Sequence, residues 1–387
     1  MINMTNTENM HWHGKHGSPS WEPPTCVTQF GVAARDYCAD KIMAHEYQDC
    51  ETVLKEKVKT LAGLVRKSKQ LVAFTGAGIS TAAGIDDYAS KAKGESVTAA
   101  GKPIVKDWKD ARPTKSHRVL AALHTAGHLK HWIQQNHDSL PQKAGYPQHC
   151  LNEIHGSMHD PANPIVPYEG TLRNDLFDWL HEWQTRADLV VAMGTSLSGF
   201  NVDSIADAAG SPSHRGLGLV IINLQQTPYD DRCALRIFGR LDSVLELLAV
   251  ELAIDERVLP MDHDFVPDIA PGALIEDDMV KVPFDGETGE PVPDEPTRWA
   301  TWDLRIGSRV KLTGGTYEGD VGTVMNKRTD GAYRIRFEDS INPTFNVKRR
   351  PFSLWLGSWW LQEASHGHGI TPGGRIPFVN VPGGPLA

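Results

Sequence analysis

The chain has 387 residues, 40% hydrophobic and 22% charged, enough for two globular domains with sizeable cores. Its formal net charge of −9 argues against whole-protein attraction to nucleic acid or to an anionic membrane surface. Five scattered cysteines without a C-x-x-C pair, no apolar leader at the start and no long apolar run predict a soluble, unsecreted, intracellular protein with reduced thiols and no membrane association.

Residues 1–35 hold several Gly, Pro and His without periodicity and are expected to form a disordered arm, with His11, His13 and His16 on a flexible polar tail rather than on a metal. A helical stripe follows from about Cys50 to Lys67, carried by Val53, Leu54, Val58, Leu61, Leu64 and Val65. The apolar run Gln70–Thr75 then stops at Gly76-Ala77-Gly78. Similar runs end in polar or Gly-rich turns at Asp188–Met193, before GTSLSG, and at Gly218–Ile222, before Asn223. Helical patterns at Lys115–Ala126, Asp175–Ala187 and Asp242–Leu252 lie around them. Unalternated strands between helices predict a Rossmann-like α/β fold, a parallel sheet covered on both faces. Ligands of such sheets bind at the carboxyl ends of the strands, where these polar loops fall.

From Ile254 to Arg298 there are thirteen Asp/Glu against three Lys/Arg, with seven prolines, which reads as an acidic linker or a strap. Short alternating runs at Arg309–Leu312, Val321–Met325, Ala332–Phe337 and Thr344–Val347, broken by Gly-Gly, Glu-Gly-Asp and Asp-Gly turns, predict a small antiparallel β-barrel. The expected divisions are therefore an arm (1–35), a nucleotide-binding domain (36–253), a linker (254–300), a barrel (301–364) and a flexible tail (365–387). Between Arg305 and Arg350 ten Lys/Arg face five Asp/Glu. With Tyr317, Tyr333 and Phe337 this excess suits RNA, DNA or a protein tail; a plain solvated basic face, covered by the acidic linker, suits it as well. Trp355, Trp359 and Trp360 are expected to close the barrel or pack it onto the first domain.

A glycine-rich turn after a strand can cradle phosphate, because Gly lets backbone N–H groups approach and a following helix directs its positive end at the anion. Gly76-Ala77-Gly78 has that setting, but the dinucleotide fingerprint asks for a third Gly where Thr81 stands. Turn glycines of purely structural use explain the pattern equally. The longer string GAGISTAAGIDDY (Gly76–Tyr88), followed in order by ARPTKSH (Ala111–His117), QQNHD (Gln134–Asp138), Ala144-Gly145, EIHGS (Glu153–Ser157), GTSL (Gly194–Leu197) and INLQQTPYDD (Ile222–Asp231), resembles the sirtuin family over about 215 residues. The last motif, continued by LRIFG, and the segments Tyr37–Lys41 and Gly170–Trp179 are most similar to the nuclear class IV sirtuins.

The resemblance implies NAD as cofactor and, as chemistry, a transferase: lysine deacylation releasing nicotinamide and O-acyl-ADP-ribose, with an acylated lysine protein as substrate, or mono-ADP-ribosyl transfer. Carried over by position, it places Ala77 and Thr81, with Gly76 and Gly78, along the diphosphate, and Asp87 and Tyr88 on the cofactor loop, Tyr88 as an aromatic lid. Gln135 holds the nicotinamide ribose, while Asn136 and Asp138 orient the nicotinamide. Gly194, Thr195, Ser196, Asn223, Gln225 and Leu241 surround the adenosine half. His155 falls on the general base, a task that suits an imidazole because its pKa lies near working pH. A nuclear location, ahead of a cytoplasmic one, rests on the class resemblance. Gly307–Gly322 is similar to a KOW or Tudor-type barrel.

Departures cluster at the chemistry. Asp86 stands for the signature Pro and Ala89 for its Arg, and Lys91 does not reproduce a planar bidentate fork. His137 replaces an aliphatic residue, and Ser139-Leu140-Pro141 replaces Gly-Leu-His. The family's four-cysteine zinc ribbon is missing: only the fourteen residues Gly156–Glu169, none of them Cys, follow His155 before Gly170, where a ribbon needs roughly twenty or more. Zinc is therefore expected to be absent and the small domain reduced; His149, His155 and His159 with Cys150 make a poor substitute set. Three readings stay open: an active deacylase or ADP-ribosyltransferase, an NAD glycohydrolase, and an NAD-binding pseudoenzyme or interaction module whose barrel binds a partner.

Overall fold

The computed structural model describes residues 11–34, 42–86, 103, 105, 107–167, 169–198, 201–258, 264–337, 341–342, 347–348, 351–370 and 374–381. The chain forms two compact units. The first comprises Met1–Asn136 and Phe177–Met261, the second His137–Leu176 and Asp262–Ala387.

In the first unit, strands β1 (Thr25–Thr28) and β2 (Glu46–Gln48) form a short antiparallel pair. Five strands of a parallel sheet follow: β3 (Leu71–Thr75), β4 (Leu129–Gln134) and, after β5 (Leu151–Glu153) of the second unit, β6 (Leu189–Met193), β7 (Gly218–Ile222) and β8 (Leu235–Ile237). Their spatial order is β4-β3-β6-β7-β8. Leu71, Ala73, Leu129, Val191 and Met193 meet Leu61 and Val65 of helix Glu51–Lys67, Leu120 and Leu123 of helix Lys115–Thr125, and Leu245 and Leu248 of helix Leu241–Glu251. From β3 the chain turns to β4 on one side and later to β6 on the other, so the loops after β3 and β6 leave the sheet at a topological switch point. The expected α/β parallel architecture is present.

Residues 11–34, expected as part of a disordered arm, are instead laid onto this unit. Lys15 and His16 donate backbone N–H to the carbonyls of Cys233 and Ala234 at 3.0 and 2.8 Å. The Trp12 ring sits against Tyr47 and Phe238. His13 is fully buried, and that burial with the nearby Lys57 pushes its pKa down to about 4. Apolar packing and backbone pairing order a segment whose composition reads as loose.

The second unit holds two antiparallel sheets over one core. One is β11-β10-β9, from β9 (Leu274–Glu276), β10 (Met279–Asp285) and β11 (Trp299–Asp303). The other is β17-β14-β13-β12-β18, from β12 (Arg309–Leu312), β13 (Val321–Lys327), β14 (Tyr333–Phe337), β17 (Ser353–Leu356) and β18 (Phe378–Asn380). A ribbon of β15 (Ile341–Asn342) and β16 (Val347–Lys348) stands apart from both sheets. Trp302 stacks on Phe378 with ring centroids 4.4 Å apart, and its indole N–H donates to the Phe378 carbonyl at 2.8 Å. Trp359 and Trp360 of helix Trp359–Ser365 are buried in the same core.

Three divisions differ from the expected ones. The stretch 137–176 packs with the C-terminal half, and Ala162 belongs to its core. The acidic 254–300 segment contributes β9, β10 and the start of β11, with Val280, Val282 and Phe284 fully buried, because β10 alternates apolar and polar as a half-covered strand does. The last stretch supplies β18, which pairs with β12, so 365–387 is not simply a tail. Tyr333 and Phe337 face the core rather than solvent, and the acidic segment pairs with the basic one through Glu276–Arg305 and Asp278–Lys327. Of the expected run Thr344–Val347, residues 344–346 lie outside the described residues.

Candidate nucleotide and catalytic site

The loops at the switch point are held together by backbone. Gly76 N–H donates to Met193 O at 3.1 Å and Gly78 N–H to Gly194 O at 2.8 Å. A Cβ on Gly78 would lie 2.6 Å from Gly194 Cα, and one on Gly194, whose φ is +58°, 2.7 Å from the Gly78 carbonyl carbon. The two glycine turns press on each other, which only glycine permits. Both of these N–H donors therefore serve loop packing. No α-helix follows directly; two 3₁₀ turns, Ala77–Ile79 and Thr81–Ala83, leave Ala77 half-buried, and the Thr81 hydroxyl donates to Gly78 O at 3.1 Å.

Just past the end of β4, the Gln135 amide donates to Thr195 Oγ1 at 3.0 Å, and the Asn136 amide donates to Gly76 O at 3.2 Å and Ser80 Oγ at 2.9 Å. Past β7, Asn223 donates to Thr195 O at 3.2 Å. Gln225 is tied to Ala44 O at 3.2 Å, Ser196 meets Ser198, and Leu241 opens helix Leu241–Glu251 half-buried. The structure thus gathers Gly76, Ala77, Gly78, Thr81, Gln135, Asn136, Gly194, Thr195, Ser196 and Asn223 around one strand-end cluster. Neutral hydroxyls and amides with small side chains suit the sugar and phosphate edges of a nucleotide. Asp87, Tyr88, Ala89 and Lys91 lie outside the described residues.

Sequence reading missed the group that holds the adenosine-side loop. Arg236 is fully buried and donates to Asp230 Oδ1 at 2.8 Å, to Asn223 O at 3.0 Å, to Gln225 O at 2.6 Å and to Ile237 O at 2.8 Å. Asp230 in turn accepts from the Thr227 N–H and hydroxyl at 3.1 and 2.7 Å. One cation inside the apolar LRIFG run was the available signal, since a buried charge must be paired.

In the second unit, His155 follows β5 in a turn and is half-buried. Gly156 has φ +89°, and a Cβ there would meet Pro164 O at 2.3 Å, so the turn requires glycine. The His137 ring lies 6.4 Å from that of His155, and its Nδ1 sits 3.0 Å from Gly156 O. Asp138 is buried, and its carboxylate accepts the Leu140 N–H at 3.1 Å. Ser139 adopts φ +57° and is anchored by Ser157 and by His159, at 3.2 and 3.1 Å. Burial pushes the Glu153 carboxyl up to about 8 and that of Asp160 up to about 6, the latter against the pull of Arg173. Where a ribbon was expected to be missing, residues 156–166 close in a short loop: Ser157 N–H donates to Asn163 O at 2.8 Å and Val166 N–H to His155 O at 2.9 Å.

Residues 98–163 match the Sir2 family. The chain is 32% identical over 285 residues to the NAD-dependent protein deacetylase sirtuin-7 of Homo sapiens, covering 60% of this chain and 69% of that protein. It is 31% identical over 242 residues to the NAD-dependent protein deacetylase SRT1 of Arabidopsis thaliana, covering 52% and 50% of the two. The solved structure "Sir2-p53 peptide-NAD+" shares 23% identity, with 51% of this chain and 99% of that chain covered, at a TM-score of 0.44. No helix among the described residues is long and apolar enough to cross a membrane. With a deacetylase matched at this identity over more than two thirds of its length, on a parallel sheet whose glycine loops interlock at the switch point, the chain belongs to the Sir2 family.

Proposed function

We propose that the chain is an NAD-dependent protein deacylase acting on acylated lysine. The observation that carries the reading is the strand-end cluster, where Gly76–Thr81, Gln135, Asn136, Gly194–Ser196 and Asn223 converge, in a chain whose matched relatives are NAD-dependent protein deacetylases. Bound NAD supplies a ribose carbon that the acyl oxygen of the lysine can attack as nicotinamide departs. Ala77 and Thr81 line the diphosphate, Gln135 holds the ribose beside the nicotinamide, and Ser196, Asn223 and Leu241 flank the adenosine. Asp87 and Tyr88 are assigned to the cofactor loop by the sequence resemblance alone. Asn136 and Asp138 orient the nicotinamide end. His155 takes a proton from a ribose hydroxyl on its imidazole nitrogen, since a group titrating near neutrality can accept that proton and release it again.

The likeness is to class IV sirtuins, with a nuclear site of action, and the four-cysteine zinc ribbon is lost from the segment after His155. The two sheets of the second unit serve as a KOW or Tudor-like small barrel. With Glu276 and Asp278 paired to Arg305 and Lys327, only the remaining basic residues are offered to a protein tail or nucleic acid.

A second reading, NAD glycohydrolysis or binding without turnover, is favoured by His137, whose imidazole sits 6.4 Å from that of His155, and by Ala89 in place of the signature Arg. Nicotinamide release with and without acylated peptides separates the three. Release only with peptide supports deacylation, release without peptide supports the glycohydrolase, and none leaves a binding module. Release that survives His155→Ala unchanged would refute the role given to His155.

A further inference from the structure

In the second unit, two imidazoles, one from the stretch just before β5 and one from the C-terminal segment, converge on one carboxylate oxygen. His149 Nδ1 lies 2.7 Å and His368 Nδ1 3.2 Å from Glu363 Oε2, and the candidate ligand atoms of the three residues all lie within 4.8 Å of one another. The two rings are 3.7 Å apart, centroid to centroid, at 32°. Glu363 is fixed by its surroundings: its side chain is 2% exposed, and its other oxygen, Oε1, accepts the Gln148 N–H at 3.1 Å. Trp359, on the same helix as Glu363, donates its indole N–H to Gln148 Oε1 at 3.0 Å. The two histidines keep open edges, 32% and 40% exposed.

We propose that His149, Glu363 and His368 form a binding site for a divalent transition-metal cation, with zinc as its natural occupant. Imidazole nitrogen and carboxylate oxygen are ligands such ions prefer, and two His with one carboxylate leave a position open to water. A cation at the point of convergence would meet two imidazole nitrogens and a carboxylate oxygen together. Zinc–ligand bonds of ~2.0–2.1 Å place tetrahedral donor atoms roughly 3.3 Å apart, against present separations of 2.7 and 3.2 Å to Glu363 Oε2 and no more than 4.8 Å across the set. The Gln148 N–H acts as the outer support that orients a ligating carboxylate. The ion joins segments 214 residues apart, stapling the stretch that leads into β5 to helix Trp359–Ser365; closing so long a loop is where a metal clip gains most. The site shares no residue with a four-cysteine ribbon and departs from the expectation of a zinc-free chain.

The test uses the untagged full-length chain, stripped with chelator. Zn²⁺ is titrated by calorimetry, Co²⁺ is followed by visible absorption, and melting is recorded with and without Zn²⁺. One equivalent of zinc, a cobalt spectrum of tetrahedral intensity and a higher Tm with metal are expected. His149→Ala and His368→Ala should each weaken binding about tenfold or more and remove the Tm rise. Glu363→Gln should do the same while keeping its bond to the Gln148 N–H. Melting of these variants without metal shows that they fold. Absence of saturable binding, or one equivalent bound equally well by the His149→Ala/His368→Ala double variant, would overturn the proposal. Because deacylation is not the readout, this outcome is independent of the enzymatic reading.

Discussion

Replacing Arg236 with Met tests whether the adenosine-side loop is held by a buried cation. The guanidinium is fully buried and makes one ion pair, at 2.8 Å to Asp230, and three bonds to the carbonyls of Asn223, Gln225 and Ile237. Met fills similar volume, so the loss is electrostatic rather than a cavity. Breaking a buried pair from one side costs about 3–5 kcal/mol, because the remaining charge stays buried and unpaired. The two loop carbonyls add about 1–3 kcal/mol each unless water reaches them. Against a total stability of about 5–15 kcal/mol for a domain, the expected loss of at least about 5 kcal/mol leaves a marginal fold, so urea unfolding is best run at low temperature. Adding Asp230→Asn to Arg236→Met should recover part of the loss, since the neutral amide needs no counter-charge, while the carbonyl contribution remains. NAD affinity should fall in both, as Asn223 loses its anchor. An Arg236→Met protein within about 1 kcal/mol of the parent, with NAD affinity unchanged, would refute the reasoning.

Gly194→Ala should cost about 2–5 kcal/mol, combining ~1–2 for a side chain at φ +58° with ~1–3 for a Cβ driven onto the Gly78 backbone; a chemical melt indistinguishable from the parent would remove the interlocking-loop account. Glu153 contributes a pH dependence of definite sign. Burial raises its pKa to about 8 in the fold, so the folded chain holds a proton there that the unfolded chain has released, and this contribution to stability falls as pH rises from about 4.5 to about 8 and is level above that. Glu153→Gln should flatten that slope and stabilise the protein at pH 8, as followed by Tm against pH; a steeper slope in the variant would reverse the sign. Asp278 accepts from Lys327 and from the Tyr333 hydroxyl while holding φ +64°. Asp278→Ala should lose about 2–4 kcal/mol and Asp278→Gly about 1 less, since Gly relieves the backbone strain; equal losses in paired denaturation curves would show that the strain is not there.

Much of the first unit was written in local pattern. The helix stripe of Val53–Val65, the apolar runs ending at Thr75, Met193 and Ile222, and the glycines at 76, 78 and 194 each carry a signal within a few residues, because buried parallel strands and tight turns restrict side chains locally. Strand β4 was not legible, because Lys130 and His131 interrupt its apolar run. His131 is buried all the same, stacked on Trp183 at 4.8 Å and 4.3 Å from Trp179, and those rings come from a helix some fifty positions away. The acidic 254–300 stretch has linker composition, yet Val280, Val282 and Phe284 find a core with Trp302 and Phe378, and Asp278 finds Lys327. The grouping of residues 137–176 with the C-terminal sheets, the role of Arg236, and the meeting of His149 with Glu363 and His368 were likewise decided only in three dimensions. Local sequence determined where strands and glycine turns must lie, because propensity, periodicity and φ act between neighbours. Partners of buried charges and the edges of the compact units depend on residues that meet only when the chain has folded, so tertiary structure alone could assign them.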